Sequence, residues 1–327
     1  MRPPRACIPG LFAVAVTGTS LPALDATAQS FPVKPIHLVV GYVPGGATDF
    51  TARAVAPRLS DLLGQAVIVE NRPGASGSIA TARVAKAPAD GHTLLILTAA
   101  DTVQPALRRD LPYDLDRDLA PISLLVTGPE MLVVHPLVPV KGVKELIALA
   151  RRQPGKLTFG SAGVGGPNHL AGVLFNLMAK TDIVHVPFKG AAQTVIAIAG
   201  GHIDLSFVSI PAGLPSVTAN KLKALAVTSE QRTSLAPALP TLSESGLPGY
   251  RHAVWYGLSA PAGVPKAVLD RLNAAVRSAL AAPEIRKLLH SRGMEAQSNS
   301  PEQFSAFIQA ETALNAKLIA AAAVKPE

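Results

Sequence analysis

The sequence predicts an α/β protein of two lobes. Three observations lead there. Apolar runs of strand length alternate with amphipathic runs of helix length. Two glycine turns of the same design, Gly45-Gly46 and Gly165-Gly166, stand 120 residues apart. Two stretches rich in proline and glycine and poor in period, residues 120–140 and 247–265, divide the chain. Alternating strands and helices bury parallel sheets between helical layers. If the two stretches are crossovers, the chain leaves a first lobe near residue 130 and returns near residue 252. Lobe 1 is then 29–130 with 252–327, and lobe 2 is 131–251.

The elements follow in order. Residues 1–28 carry Arg2 and Arg5, an apolar stretch from residue 7 to 16, and Ala26-Thr27-Ala28 before Gln29. That is the pattern of a cleaved export signal. Pro9, Gly10, Gly18 and Pro22 interrupt it too often for a membrane span. Ile36–Val40 reads as a strand, and the turn after it opens a helix that Gly64 stops and Pro57 bends. A second strand covers 66–69, a helix runs through 79–85, and a third strand covers 93–97 and ends at Thr98. Residues 132–134 are again strand-like. Then come a helix over 143–150, a strand over 156–161, a helix over 168–179, a strand over 183–186, a helix over 192–199, and strands over 203–208 and 222–227. Residues 157–179 hold no charged side chain, but their glycines, Pro167, Asn168 and His169 exclude a lipid-spanning helix. The end of the chain is helical. Val268, Leu269, Leu272, Val276 and Leu280 mark one face of a helix begun at Pro265. Ser300-Pro301-Glu302-Gln303 is a capping box, with Phe304, Phe307, Ile308, Leu314 and Leu318 on one face behind it.

Composition narrows the function. The only cysteine, Cys7, lies in the export signal, so the processed chain has no disulfide, thiol nucleophile or thiolate metal site. The formal net charge is +8, but the basic residues are dispersed and aromatics are 4 %. That is too few for stacking platforms, so nucleic acid is not expected. The positive charge serves solubility on the plainer reading and attraction of small anions on the sharper one.

The two turns carry the strongest signal. "VPGGATDF" at 43–50 aligns with "GVGGPNHL" at 163–170; each follows a strand and opens a helix. A helix N-terminus carries free N–H groups and partial positive charge, and glycine lets a ligand approach that backbone. Two such termini facing one cleft would grip an anion from both sides. Each terminus contributes roughly 0.3–2 kcal/mol, and charge-assisted hydrogen bonds add roughly 1.5–3 kcal/mol apiece.

Catalytic patterns do not fit. Position 168 is Asn where a dinucleotide fingerprint needs a third glycine, and neither turn has the lysine of a phosphate loop. The serine in Phe159-Gly160-Ser161-Ala162-Gly163 is one residue out of frame for a nucleophile elbow. The histidines have no metal-like spacing. No enzyme, cofactor or metal is expected.

"FPVKPIHLVVGYVPGGATDFTAR", "LGQAVIVENRPGASG", "ADGHTLL", "FGSAGVGGPNHLAG", "HVPFKG" and "PTLSESGLPGY" followed by "WYGLSAPAGVP" occur in order along the chain. Together they resemble the tripartite tricarboxylate transporter solute-receptor family, the Bug-type periplasmic binding proteins. The resemblance implies a type II periplasmic binding fold with a ligand cleft between its lobes. It also implies a small mono- or dicarboxylate ligand, held largely by main-chain groups and water, and a periplasmic location. Delivery would be to an inner-membrane transporter with one large and one small subunit. A ligand sensor that signals to a membrane partner is the alternative, because it would use the same cleft.

Carried onto this sequence, the resemblance assigns ligand contacts to Tyr42, Gly46, Ala47, Thr48 and Asp49 in the first turn, and to Ser161, Gly165, Gly166, Asn168 and His169 in the second. Ser76, Thr98, Phe188, Lys189 and Gly190 complete the set. Val173 stands where the family commonly has glutamate, and Phe188 where it commonly has tyrosine. Thr48, Asp49 and Asn168 are equally good helix caps, and His169 could simply be a packed core residue.

Overall fold

The computed structural model describes Met1, residues 31–188 and residues 191–322. The expected export signal, Lys189 and Gly190 lie outside the described residues.

The first half of the chain builds β1 (Ile36–Val40), α1 (Ala47–Leu63), β2 (Val67–Asn71), α2 (Ser78–Ala85), β3 (Thr93–Thr98), α3 (Ala99–Leu107) and α4 (Leu115–Asp118). β1 lies between β2 and β3, parallel to both, with Ile36 opposite Val67 and His37 opposite Thr93. Its Ile36, Leu38, Val39 and Val40 are fully buried, as a strand covered on both faces requires. α1 buries Ala52, Val55, Leu59 and Leu63, spaced to form one helical stripe. It ends at Gly64, whose φ of 73° accepts the left-handed cap. Pro57 sits on its exposed side within one continuous helix.

β4 (Leu119–Val134) corrects the sequence reading. Residues 120–140 read as an irregular crossover, yet 16 residues from Leu119 form one strand. The same holds for β9 (Ala253–Pro261) in the second weakly periodic stretch. The two pair antiparallel along the whole of β9, with register shifts after Pro121 and after Leu124. Prolines and bulges hide the alternation, and burial on both faces removes the rest of it. The sheet is therefore mixed, not only parallel.

β4 changes partners at Glu130. Up to Pro129 it pairs with β9, and from Glu130 it pairs with β7. The second half supplies α5 (Val143–Arg152), β5 (Thr158–Ser161), α6 (Pro167–Ala179), β6 (Val184–Pro187), α7 (Ala191–Ala199), β7 (Leu205–Ser209), α8 (Ile210–Thr218) and β8 (Lys223–Val227). β5 runs parallel to β6 and β7, and β8 also pairs with β4. The chain closes with α9 (Lys266–Ala281), α10 (Pro283–His290), β10 (Glu295–Ala296) and α11 (Pro301–Ala321). The expected capping box is formed: Ser300 Oγ accepts from Gln303 N at 3.2 Å, and Gln303 Oε1 accepts from Ser300 N at 3.0 Å.

α11 serves two cores. Phe304 and Ile308 pack with Trp255, Val39 and Leu95. Leu318 and Ile319 pack with Phe159, Phe175 and Phe207. Between these anchors the helix crosses from one half to the other, and that places Glu311 and Asn315 beside the cleft.

Candidate ligand-binding cleft

The two turns adopt one conformation. Gly45 and Gly165 have φ of 86° and 75°, a region that glycine enters freely. Gly46 and Gly166 follow with φ of −74° in both and ψ of 171° and 166°, and each is the N-cap of its helix. Their carbonyls accept the first helical bonds, from Phe50 at 2.8 Å and Leu170 at 3.0 Å. The sequence does not say which glycine needs positive φ; in the fold it is the first of each pair.

Side chains then lock each turn. Asp49 Oδ2 accepts the Gly45 N–H at 2.9 Å, and Arg53 Nε donates to the same carboxylate at 3.0 Å. Asn71 Nδ2 donates to Asp49 Oδ1 at 2.9 Å. Burial pushes the Asp49 carboxyl up, but the bonds from Arg53, Gly45 and Asn71 outweigh it and hold its pKa below the usual range. In the second turn His169 Nδ1 accepts the Gly165 N–H at 3.0 Å, so Nδ1 carries no proton. Burial, helped by the neighbouring His185, pushes the His169 pKa down to about 4. The His169 and His185 rings stack with centroids 3.9 Å apart, and His185 Nε2 meets Ser161 Oγ at 2.7 Å. Ser161 Oγ donates to the Gly163 carbonyl at 2.9 Å and is fully buried.

A cavity of about 420 Å³ lies between the turns. Of the residues expected from the sequence, Tyr42, Thr48, Ser76, Thr98, Gly165 and Gly166 line it. Gly46 and Ala47 adjoin the lining Thr48 in the chain. Asp49, Ser161 and His169 stand behind the turns and hold them. Asn168 turns away from the cavity, with Nδ2 donating to the Phe207 carbonyl at 2.7 Å and to Glu130 Oε1. Phe188 packs against the core around Ile198 and Ile203. The Tyr42 hydroxyl lies 3.1 Å from the Ser76 carbonyl and 3.2 Å from Thr98 Oγ1. Ser76 itself has a φ of 52°, following Ala75 at 45°. Two adjacent non-glycine residues in this region store roughly 1–3 kcal/mol each, which is typical of ligand sites.

Three further elements complete the wall. α3 contributes Val103, Gln104 and Leu107, β9 contributes Tyr256 with His252 just before it, and α11 contributes Glu311 and Asn315. Signals for two of them stand in the sequence. Thr98 and Asp101 form the capping box that starts α3, and Glu311 and Asn315 fall between Ile308 and Leu318 on the apolar face of α11, where polar residues call for a reason. Among the described lining residues none is Lys or Arg. The N–H groups in the first turns of α1 and α6 have no intrahelical partner and carry partial positive charge, although Pro167, the first residue of α6, has no N–H to offer.

Behind the cleft, Glu130 is fully buried where β4 changes partners, and burial pushes its pKa up to about 8. Its Oε2 lies 3.9 Å from His252 Nε2. Burial pushes His252 down to about 4, against the Pro167 carbonyl.

Two α/β halves joined by paired strands, with the start of one helix from each lining a shared cavity, define a two-lobed periplasmic solute-binding protein. The chain belongs to the family described as the tripartite tricarboxylate transporter family receptor, which matches residues 51–324. It is 38 % identical over 308 residues to a protein encoded between tcbD and tcbE in Pseudomonas sp. strain P51, covering 94 % of this chain and 90 % of that one. Among solved structures it is similar to a TctC solute binding protein from Polaromonas, at a TM-score of 0.82 and 31 % identity over 89 % of this chain and 99 % of the other. It is also similar to Rpa4515 of R. palustris, solved with adipate, at a TM-score of 0.72 and 35 % identity over 91 % of this chain and all of the other. Among the described residues no helix is long and apolar enough to cross a membrane.

Proposed function

We propose that this chain captures a small organic carboxylate in the cleft and hands it to a membrane transporter of the tripartite type, with one large and one small subunit. The observation that carries the reading is the matched pair of turns, Gly45-Gly46 and Gly165-Gly166, each aiming a helix N-terminus at the same cavity. The ligand would be held by the opening N–H groups of α1 and α6, with Thr48, Ser76, Thr98 and Tyr42 around it. Lys189 and Gly190 belong to the proposed set through the family resemblance. The adipate bound by Rpa4515 supports a carboxylate. The proposed lobes are 29–130 with 252–327, and 131–251; the change of ladder partner at Glu130 favours a boundary there. We further propose that residues 1–28 are removed on export to the periplasm.

Calorimetry with a panel of organic acids and their neutral amides tests the reading. The acids bind one to one and the amides do not. An amide that binds as well as its acid would sink the anion argument. A saturating acid at a hundredfold excess over Kd also raises the unfolding free energy by roughly 2.7 kcal/mol. Intact-mass measurement of exported protein checks the cleavage, and co-purification with the membrane subunits checks the partner.

A further inference from the structure

The polar groups of the cavity differ in what they offer a ligand. Thr98 Oγ1 donates its one proton to Asp101 Oδ2 at 2.8 Å, and the Thr98 N–H joins it there at 2.8 Å. Asp101 is buried and also accepts from Thr81 at 2.7 Å. Tyr42 has one hydroxyl proton, held between the Ser76 carbonyl and Thr98 Oγ1. A hydroxyl has one donor and two lone pairs. Both hydroxyls have therefore committed their protons inside the protein and offer the cavity lone pairs.

Glu311 adds a carboxylate to the same wall. Its Oε2 accepts from Trp255 Nε1 at 3.3 Å. Arg251 lies 4.0 Å from its Oε1 but lines an adjoining cavity of about 400 Å³, not this one. Asn315 gives one of its two amide N–H donors to Thr102 Oγ1 at 2.9 Å. Gln104, Thr48 and Ser76 can serve as donor or acceptor. Among the described lining residues, donors fixed by the backbone stand where helices begin.

We propose that the cleft selects acids with a single carboxylate and, elsewhere on the molecule, a hydrogen-bond donor such as a hydroxyl or ammonium group. Tyr42, Thr98 and Glu311 read that donor. The proposal rests on the carboxylate reading above and narrows it. A second carboxylate placed there would face the lone pairs of Tyr42 and Thr98 and the like charge of Glu311; such juxtapositions are strongly disfavoured. An acid with a bare methyl end would leave acceptors unpaired in a largely apolar cavity, which is how a polar site rejects the analogue that lacks the group.

The test is calorimetry with straight-chain acids of about four to six carbons carrying a methyl, hydroxyl, ammonium or carboxylate group at the far end. For the best-bound length, the hydroxyl or ammonium acid binds at least about tenfold tighter than both the diacid and the methyl-ended acid. Comparing the two donor acids shows which donor is preferred. Glu311→Gln, close in shape, narrows the gap to the diacid by about tenfold, and Tyr42→Phe narrows the gap to the methyl-ended acid, with folding of both checked by circular dichroism. A diacid that binds as tightly as the donor acids overturns the proposal, and so does a Glu311→Gln variant with an unchanged ratio. In those cases, if the neutral amides still fail to bind, the carboxylate reading stands alone. If the amides bind like the acids, or no acid binds, that reading fails and the proposal falls with it.

Discussion

Asp49 and His169 hold equivalent positions in two turns 120 residues apart, and each accepts the backbone N–H of the glycine four residues before it, Gly45 at 2.9 Å and Gly165 at 3.0 Å. One acceptor is a carboxylate, the other a neutral imidazole. The geometry is shared and the charge is not. The first turn is braced further by Arg53 and Asn71, while the second leans on the rings of His185 and Phe159. The two turns therefore respond differently to substitution and to pH.

The glycines of each pair have separable roles. Gly45→Ala and Gly165→Ala place a side chain in the left-handed region, and each loses about 1–3 kcal/mol of stability. Crowding is not the cause, since a Cβ at Gly45 meets nothing within 4 Å and one at Gly165 meets only Leu107 at 3.7 Å. Gly46→Val and Gly166→Val have ordinary φ and keep their stability to within about 1 kcal/mol, yet weaken ligand binding because the branched side chain stands where the anion approaches. Urea unfolding measures the first pair and calorimetry the second. Folded valine variants with unchanged affinity would mean that these glycines only form turns.

Asp49→Ala removes an acceptor from three donors in a buried site. A loss of about 1–3 kcal/mol in unfolding free energy is expected, with weaker binding because the first turn relaxes. Asp49→Asn retains one acceptor oxygen and falls between the two. Unchanged stability in Asp49→Ala would show that the turn holds its shape unaided.

His169 sets an acid limit. Its folded pKa of about 4 lies below the 6.5 of a free histidine. Between these values the unfolded chain binds the proton that the folded chain refuses, so stability falls as pH drops from 6.5 towards 4. Protonation at Nδ1 also removes the acceptor for Gly165. His169→Asn, with an amide oxygen in place of the ring nitrogen, shows a shallower decline over this window in unfolding measured at several pH values. Parallel curves for the two proteins would remove His169 from the explanation.

Glu130 acts at the other end of the scale. Its folded pKa of about 8 lies above the usual 4.5, so the folded chain holds a proton that the unfolded chain has released. Stability from this group is complete below pH 4.5 and is lost as pH rises through 8. Glu130→Gln mimics the protonated form and keeps an acceptor for Asn168. It unfolds like the wild type near pH 6 and is the more stable of the two near pH 9. Equal stability at both values would show that Glu130 is ionised in the folded protein.

The prolines of β4 show where sequence reasoning stopped. Pro121 and Pro129 break the period, and the stretch reads as a loop. In the fold the ladder shifts register after Pro121, and its partner β9 lies in the other weakly periodic stretch, more than a hundred residues on. Pairing at that distance leaves no local trace. α3 and α11 differ from β4. Thr98-Ala99-Ala100-Asp101 is a legible helix start, and Glu311 and Asn315 are legible as polar residues on an apolar face. Neither clue says what lies opposite.

The alternation of strands and helices, the two glycine turns and the family could all be read from the chain alone, because each is written in local spacing: apolar period, paired glycines, ordered motifs. The placement of Asp49 and His169 behind the turns, rather than in the cavity, emerged only on folding. So did the reach of α11 into both cores, and a cavity lined by the starts of α1 and α6 together with Tyr42 and Thr98. The reason is physical. Which way a side chain faces, and where a hydroxyl sends its one proton, depend on neighbours distant in the chain. Thr98 finds Asp101 within its own capping box, but the Tyr42 hydroxyl meets Thr98 56 residues away, and folding alone brings the two together.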